Sequence, residues 1–169
     1  QTMPGATEAL GFLAAGVAFF IGAAIPLELN REWITVAYAI ELAAVAAIAA
    51  HLGLVSLRQL CWPLLAVVVV RFVINPEILK YPLGVTPILN WILWGYGIAI
   101  AALVVALRFL RPTGDYRLIR AVEGAAALLV FVLLTLEVRS LFQPASMDRI
   151  GSDFLERAFY VLVWGGFAL

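Results

Sequence analysis

Long apolar stretches alternate with short polar segments along the whole of this 169-residue chain. The stretches have the length of a helix of about 20 residues, which crosses a bilayer core about 30 Å thick. They lack the alternating pattern of membrane strands, and backbone N–H and C=O groups in lipid must pair within their own segment. The pattern therefore predicts an all-α polytopic transmembrane helix bundle. It forms one region over 1–169, with six spans at about 9–27, 33–50, 56–74, 88–107, 116–142 and 154–169.

Local sequence signals predict where several of these helices begin and bend. Ser56, with a glutamine three residues later, has the spacing of a capping box for the third helix. Asp115 is expected to cap the fifth helix, and Asp153 with Glu156 has N-cap and N3 spacing for the sixth. Pro63 falls beyond the first turn of the third helix, so we expect a kink there. Small residues four apart predict close helix packing at 11/15, 18/22, 43/47, 46/50, 95/99 and 97/101.

The composition supports a membrane protein and argues against other classes. The chain is 64% hydrophobic and 13% charged, with a mean hydropathy of +1.04, whereas a soluble domain is roughly 45–50% apolar and 25% charged. The 11 basic and 11 acidic residues cancel, so there is no basic excess of the kind that binds nucleic acid. Cys61, the single cysteine, cannot form an internal disulfide and lies in an apolar run, where we expect it to serve packing.

The chain ends and the loop charges predict context and orientation. The chain starts at Gln1 without an initiator methionine and stops at Leu169 inside an apolar run, so we expect a piece of a larger membrane protein. Its partners would be the lipid bilayer and further spans or subunits. The segment 108–120 holds four arginines against one aspartate, which predicts that this loop and the N-terminus face the cytoplasm.

Glu41 is the most deeply placed ionisable residue in the predicted spans. It lies about halfway along the second helix, with Tyr38 and Val45 on the same face. Lipid makes a charged group costly, so such a residue faces the bundle and needs a partner or a proton. Glu41 is therefore either an intramembrane proton or cation site, or a structural hydrogen-bonding group between helices.

A second group of polar residues is predicted near the other membrane surface, at the outer ends of the third and fifth helices. Arg71 precedes Asn75 and Glu77, and Glu137 and Arg139 lie near the end of the fifth helix. Arg71 with Glu137, or Glu77 with Arg139, could form interhelical pairs. The functional alternative is an outer-leaflet pocket for a lipid or glycolipid headgroup, in which arginine supplies forked donors. The structural alternative is interhelical pairing with side chains that reach the phosphates.

The sequence contains no recognisable catalytic, cofactor or metal motif. There is no glycine-rich phosphate loop, serine nucleophile elbow or zinc-binding His-Glu pair, so we assign no catalytic residue, no cofactor and no metal. The only histidine, His51, ends a helix and is expected to cap it or pack at the interface.

Three segments in a fixed order resemble a known family. The segments are Thr135-Leu-Glu-Val-Arg-Ser-Leu-Phe142, Ile88-Leu-Asn-Trp-Ile-Leu-Trp-Gly-Tyr-Gly97 and the arginine-ended helix before Asn75-Pro76. Over roughly 33–169 they resemble the large bacterial multipass membrane proteins of domain of unknown function twenty-three thirty-nine. The resemblance implies a bacterial cytoplasmic (inner) membrane protein with more than six spans. It also implies recurrent polar positions at Glu137 and Arg139, and at Arg71 and Asn75, but no activity.

Three functions are compatible with the sequence. We favour a non-enzymatic membrane module or scaffold in the cell envelope, which predicts paired polar groups and no open pocket. A transporter or lipid-handling protein predicts a cavity that reaches Glu41 or the outer arginines. An envelope enzyme acting on lipid-linked or glycan substrates predicts Glu137 or Glu77 in an outer cleft beside Arg139 or Arg71.

Overall fold

The computed structural model describes residues 4–28, 31–74, 90–143, 147 and 153–169. Throughout these residues the regular structure is helical, which confirms the predicted all-α bundle. The helices are α1 (Pro4–Glu28), α2 (Arg31–Leu52), α3 (Val55–Val73), α4 (Trp91–Leu110), α5 (Tyr116–Phe142) and α6 (Phe154–Ala168). A 3-10 turn, Arg111–Thr113, follows α4.

The helices identify the chain as an integral membrane protein. By length and composition, α2, α3, α4 and α5 are able to cross a membrane, whereas the apolar part of α1 described here, Ala9–Ile25, is shorter. Large apolar side chains cover the outside of the bundle: Phe20 is 74% exposed and Val161 is 70% exposed. Such a surface would aggregate in water but matches the hydrocarbon of a bilayer. Within the described residues, four of the six predicted spans are thus long and apolar enough to cross a membrane.

The centre of the bundle is formed by α2, α3 and α4. α2 packs against α3 and α4, and α5 packs against α4 and α3. The other two helices are peripheral: α1 lies on α2 and α3, and α6 lies on α5. Small side chains in the common core are completely buried, as Ala39, Ala46 and Ala99 illustrate. Close packing of small residues is the expected means of helix association in lipid, where apolar surface provides no driving force.

The turn between α2 and α3 sets where α3 begins. Gly53 has a φ of +65°, and the Leu54 N–H bonds to the Ala49 carbonyl oxygen at 3.2 Å, so α2 ends in a Schellman-type turn. The chain then enters α3 at Val55, and no side chain caps the helix. The predicted capping box at Ser56 is therefore wrong, because Ser56 already lies inside the first turn.

The other predicted helix starts have different outcomes. Asp115 does cap α5, because its carboxylate accepts a hydrogen bond from the Leu118 N–H at 3.2 Å. α4 begins at Trp91, not at 88, because the Asn90 side chain accepts a hydrogen bond from the backbone N–H of Leu93 at 3.1 Å. Asp153 occupies the N-cap position of α6 but makes no capping hydrogen bond.

Candidate functional site

Glu41 lies in the middle of α2, where α2 meets α1. Glu41 is only 8% exposed. The carboxyl group rests on Gly22 of α1, so closely that a Cβ placed on that glycine would lie 3.2 and 3.3 Å from the two carboxyl oxygens. One turn away, the Tyr38 hydroxyl donates a hydrogen bond to the Gly22 carbonyl oxygen at 2.9 Å. Tyr38 and Glu41 together form the contact of α2 with this part of α1.

Among the residues that the structure describes, the carboxyl group of Glu41 has no hydrogen-bond donor. Neither Oε1 nor Oε2 accepts a hydrogen bond from any of them, although both atoms are buried. A buried carboxyl group without a donor is costly in apolar surroundings unless it holds a proton or faces a cation. The predicted structural hydrogen bond to a neighbouring helix is not formed by the described residues, and the proton or cation alternative stays a prediction.

Two apolar cavities reach Glu41. The first has a volume of about 530 Å³ and lies between α1 and α2, where its rim includes the exposed side chains of Val17, Ile21 and Ile40. The second has a volume of about 270 Å³ and lies between α1 and α3, where it is lined by Phe19 and other side chains, including Tyr38, Pro63 and Leu64. Exposed rim residues place the mouth of the first cavity on the lipid-facing surface. We call the two together the Glu41 cavities.

Pro63 lies inside α3 and lines the second of these cavities. α3 continues through this position as a helix. Proline has no N–H and crowds the preceding turn, so it weakens the helix at that level. The predicted kink at Pro63 stays a prediction.

The predicted pair of Arg71 with Glu137 is not formed between these two described residues. Arg71 Nε instead donates a hydrogen bond to Thr35 Oγ1 at 3.1 Å, which links the end of α3 to the start of α2. Thr35 is only 5% exposed, so this is an interhelical contact inside the bundle. Asn75 and Glu77, the other predicted members on this side, lie outside the described residues.

Glu137 is held by the start of α4. Its Oε2 accepts hydrogen bonds from Asn90 Nδ2 and from Ser140 Oγ, each at 3.4 Å. Within the described residues its Oε1 is buried without a partner. Because Asn90 also caps α4, one side chain both starts that helix and contacts the carboxyl group of α5. The sequence signal for this contact is an asparagine directly before an apolar run, a signal that indicates a helix start but not a contact with Glu137.

Arg139 lies on α5 and contacts the chain beyond that helix. Its Nε donates a hydrogen bond to the Met147 carbonyl oxygen at 2.5 Å. Nearby, Glu156 of α6 is almost fully buried and accepts hydrogen bonds from Gln143 Nε2 at 3.1 Å and from the Tyr160 hydroxyl at 3.0 Å. Glu156 occupies the predicted N3 position of α6, and its carboxyl group joins α6 to the end of α5. The polar groups at this end thus serve helix contacts.

A basic cavity at the opposite end was missed from the sequence. It has a volume of about 400 Å³ and is lined by His51, Arg58, Arg108 and neighbouring residues. The His51 Nδ1 lies 2.9 Å from the Ala47 carbonyl oxygen, so this side chain folds back on its own helix near the end of α2. The arginine-rich segment indicated which end is basic, but only the fold brings Arg58 of α3 beside Arg108 of α4.

Comparison with known proteins assigns no relatives to this chain. No protein-family model, curated protein or solved structure matches it. The resemblance to domain of unknown function twenty-three thirty-nine therefore stays a prediction. Among the described residues, no three histidine, cysteine, aspartate or glutamate side chains are grouped as metal ligands.

Proposed function

We propose that this membrane protein binds a lipophilic organic cation in the Glu41 cavities and belongs to a transporter. The observation that carries the proposal is the buried carboxyl group of Glu41, which has no donor among the described residues and lies on two apolar cavities. A cation with an apolar body would satisfy the carboxylate and fill the apolar space. The rings of Phe19 and Tyr38 in the second cavity add faces to which a cation is attracted.

The cavities favour this function over the scaffold that the sequence suggested. A scaffold with paired polar groups predicts no open pocket, whereas the described residues leave two cavities beside an unpaired carboxyl group. The enzyme alternative requires Glu137 or Glu77 in an outer cleft beside Arg139 or Arg71, and Glu77 lies outside the described residues. Glu137 is instead engaged by Asn90 and Ser140. The bacterial inner membrane as the location, with additional spans or subunits as partners, belongs to the same proposal.

Equilibrium binding of radiolabelled tetraphenylphosphonium to the purified chain in lipid nanodiscs tests the proposal. We expect saturable binding to the wild type and an affinity at least about tenfold lower in Glu41→Gln, because the amide removes the charge that pairs with the cation. Glu137→Gln is the matched control, since it makes the same change in a carboxyl group that already has donors. Its affinity should equal that of the wild type.

Three results would overturn the proposal. The first is the absence of saturable binding in the wild type, and the second is an equal loss of affinity in both variants. The third is a disulfide-linked dimer of Ile40→Cys together with no cation binding, because a second copy of the chain would then occupy the first cavity. Monodisperse elution and unchanged helix content establish that each variant is folded.

A further inference from the structure

The end of the bundle opposite Arg71 and Glu137 contains the basic cavity. It forms where α2 ends, where α3 begins and where α4 passes into the 3-10 turn. Its lining includes His51, Arg58, Arg108, Phe109, Pro112 and Thr113. A volume of about 400 Å³ lies within the range of small-molecule sites, roughly 300–1,000 Å³. Its lining begins on α2 at Ala49, about 12 Å from Glu41 at the rise of a helix. It shares no lining residue with the Glu41 cavities.

Protein contacts hold two of its polar side chains in place. Arg58 Nη1 donates a hydrogen bond to the Thr113 carbonyl oxygen at 3.3 Å, which ties the guanidinium group to the 3-10 turn. The other guanidinium N–H groups keep their capacity to donate to a ligand. The His51 ring is held by its contact with Ala47 and by packing on Phe109, with ring centroids 5.7 Å apart. The site is therefore partly preorganised.

The charge of the cavity is not neutralised by an ion pair within the part of the chain that the structure describes. Among the described residues, no acidic side chain forms an ion pair with Arg58 or Arg108. The two acidic side chains nearby are already engaged. Glu123 pairs with Arg111 at 3.4 Å, and Asp115 caps α5. The two arginines are therefore available to an anion from outside the described residues.

We propose that the basic cavity binds a phosphate group, carried by an anionic lipid or by soluble phosphate. Two guanidinium groups offer forked donors that match the oxygens of a phosphate, and arginine keeps its charge at any physiological pH. The cavity lies at the ends of three helices long and apolar enough to cross a membrane, α2, α3 and α4, and lipid phosphates are found at the ends of such helices. Phe109 and Pro112 give its wall an apolar part, against which the glycerol of a lipid would pack.

Native mass spectrometry of the full chain in detergent tests this site. The probes are phosphatidylglycerol, diacylglycerol with the same acyl chains, and inorganic phosphate. We expect retention of phosphatidylglycerol but not of diacylglycerol. Arg108→Gln should reduce retention about tenfold, as the loss of a charge-assisted hydrogen bond does. Arg120→Gln is the matched control, because this arginine is also exposed near the same end but does not line the cavity.

The arms of the experiment distinguish the two sources of phosphate. A lipid adduct that depends on Arg108 identifies an anionic lipid, and an inorganic phosphate adduct that depends on Arg108, without a lipid adduct, identifies a soluble ligand. Equal losses in the Arg108 and Arg120 variants would show general surface attraction and overturn the proposal, as would the absence of both adducts. Arg58→Lys serves as a second variant: it keeps the charge but loses the fork, so we expect an intermediate loss.

Discussion

At the residue scale, Gly22 determines how closely α1 approaches the carboxyl group of Glu41. No side chain larger than hydrogen fits there without moving the carboxyl oxygens, which would lie 3.2 and 3.3 Å from an added Cβ. The glycine therefore permits the arrangement on which the proposed cation site depends. Sequence spacing suggested that Gly22 packs against another helix, but it did not indicate that the neighbour is a carboxyl group.

We predict that Gly22→Ala weakens tetraphenylphosphonium binding about fivefold, the equivalent of about 1 kcal/mol of overpacking. The added methyl group forces Glu41 away from its position over α1. Gly16→Ala is the matched control on the same helix, since a Cβ there meets nothing within 4 Å. The nanodisc assay gives the dissociation constant of tetraphenylphosphonium for each of the two variants. Equal affinities in the two variants would contradict the assigned role of Gly22.

Asn90 shows why part of the outer polar group could not be predicted from the sequence. The predicted residue types were suitable for pairing, and Glu137 does contact another helix. Its partner is neutral, however, and reaches it from the start of α4. Periodicity locates Glu137 on α5 but cannot give the relative heights of two helices separated along the chain by a whole span. Arg71 likewise donates a hydrogen bond to Thr35 and not to the predicted carboxylate of Glu137.

At the element scale, helix ends are satisfied by neighbouring helices as well as by local caps. α3 ends at Val73, so the carbonyl groups of its last turn have no partner within the helix. The buried hydroxyl of Tyr96 on α4 donates a hydrogen bond to one of them, the Phe72 carbonyl oxygen, at 2.7 Å. The two rings also pack together, with centroids 4.5 Å apart.

We predict that Tyr96→Phe lowers the free energy of unfolding by about 1 kcal/mol, because it leaves that carbonyl group unpaired inside the bundle. The ring packing remains, so the loss reports the hydrogen bond. Titration of the purified chain in mixed micelles with sodium dodecyl sulfate, followed by circular dichroism, measures the change. Tyr116→Phe is the control, since that residue is 77% exposed. A loss of the same size in both variants would argue against the interhelical bond.

The positions of the helices were largely predictable because lipid imposes strong rules on a sequence. α5 has the bounds expected from its polar ends, and Asp115 caps it as predicted. The wrong predictions of helix starts occur at turns, where backbone geometry determines the residue at which one helix ends and the next begins. At Gly53 a left-handed residue ends α2 and starts α3 before the polar residues that suggested a capping box. The Glu41 cavities were not predictable either, because they depend on how closely three helices approach.

At the scale of the whole molecule, charge is distributed unequally between the two ends of the bundle. By their positions in the described helices and turns, five arginines and three acidic residues lie toward the end with the basic cavity, namely Arg58, Arg108, Arg111, Arg117, Arg120, Glu8, Asp115 and Glu123. Four arginines and five acidic residues among the described residues lie toward the opposite end, namely Arg31, Arg71, Arg139, Arg157, Glu28, Glu32, Glu137, Asp153 and Glu156. Positively charged segments of membrane proteins are retained in the cytoplasm. This asymmetry supports a cytoplasmic basic end, where anionic lipids would also be available to the proposed phosphate site.

We predict that a cysteine at position 112 is protected from a membrane-impermeant maleimide in intact spheroplasts, whereas one at position 153 is labelled. Both native residues are exposed, at the basic end and at the start of α6 respectively. The single variants Pro112→Cys and Asp153→Cys are made in a Cys61→Ala background, although Cys61 itself is completely buried. Lysis of the spheroplasts should allow the maleimide to label position 112 and should leave the labelling of position 153 unchanged. The reverse labelling pattern would place the basic cavity on the outside, and the positive-inside rule would then not describe this bundle.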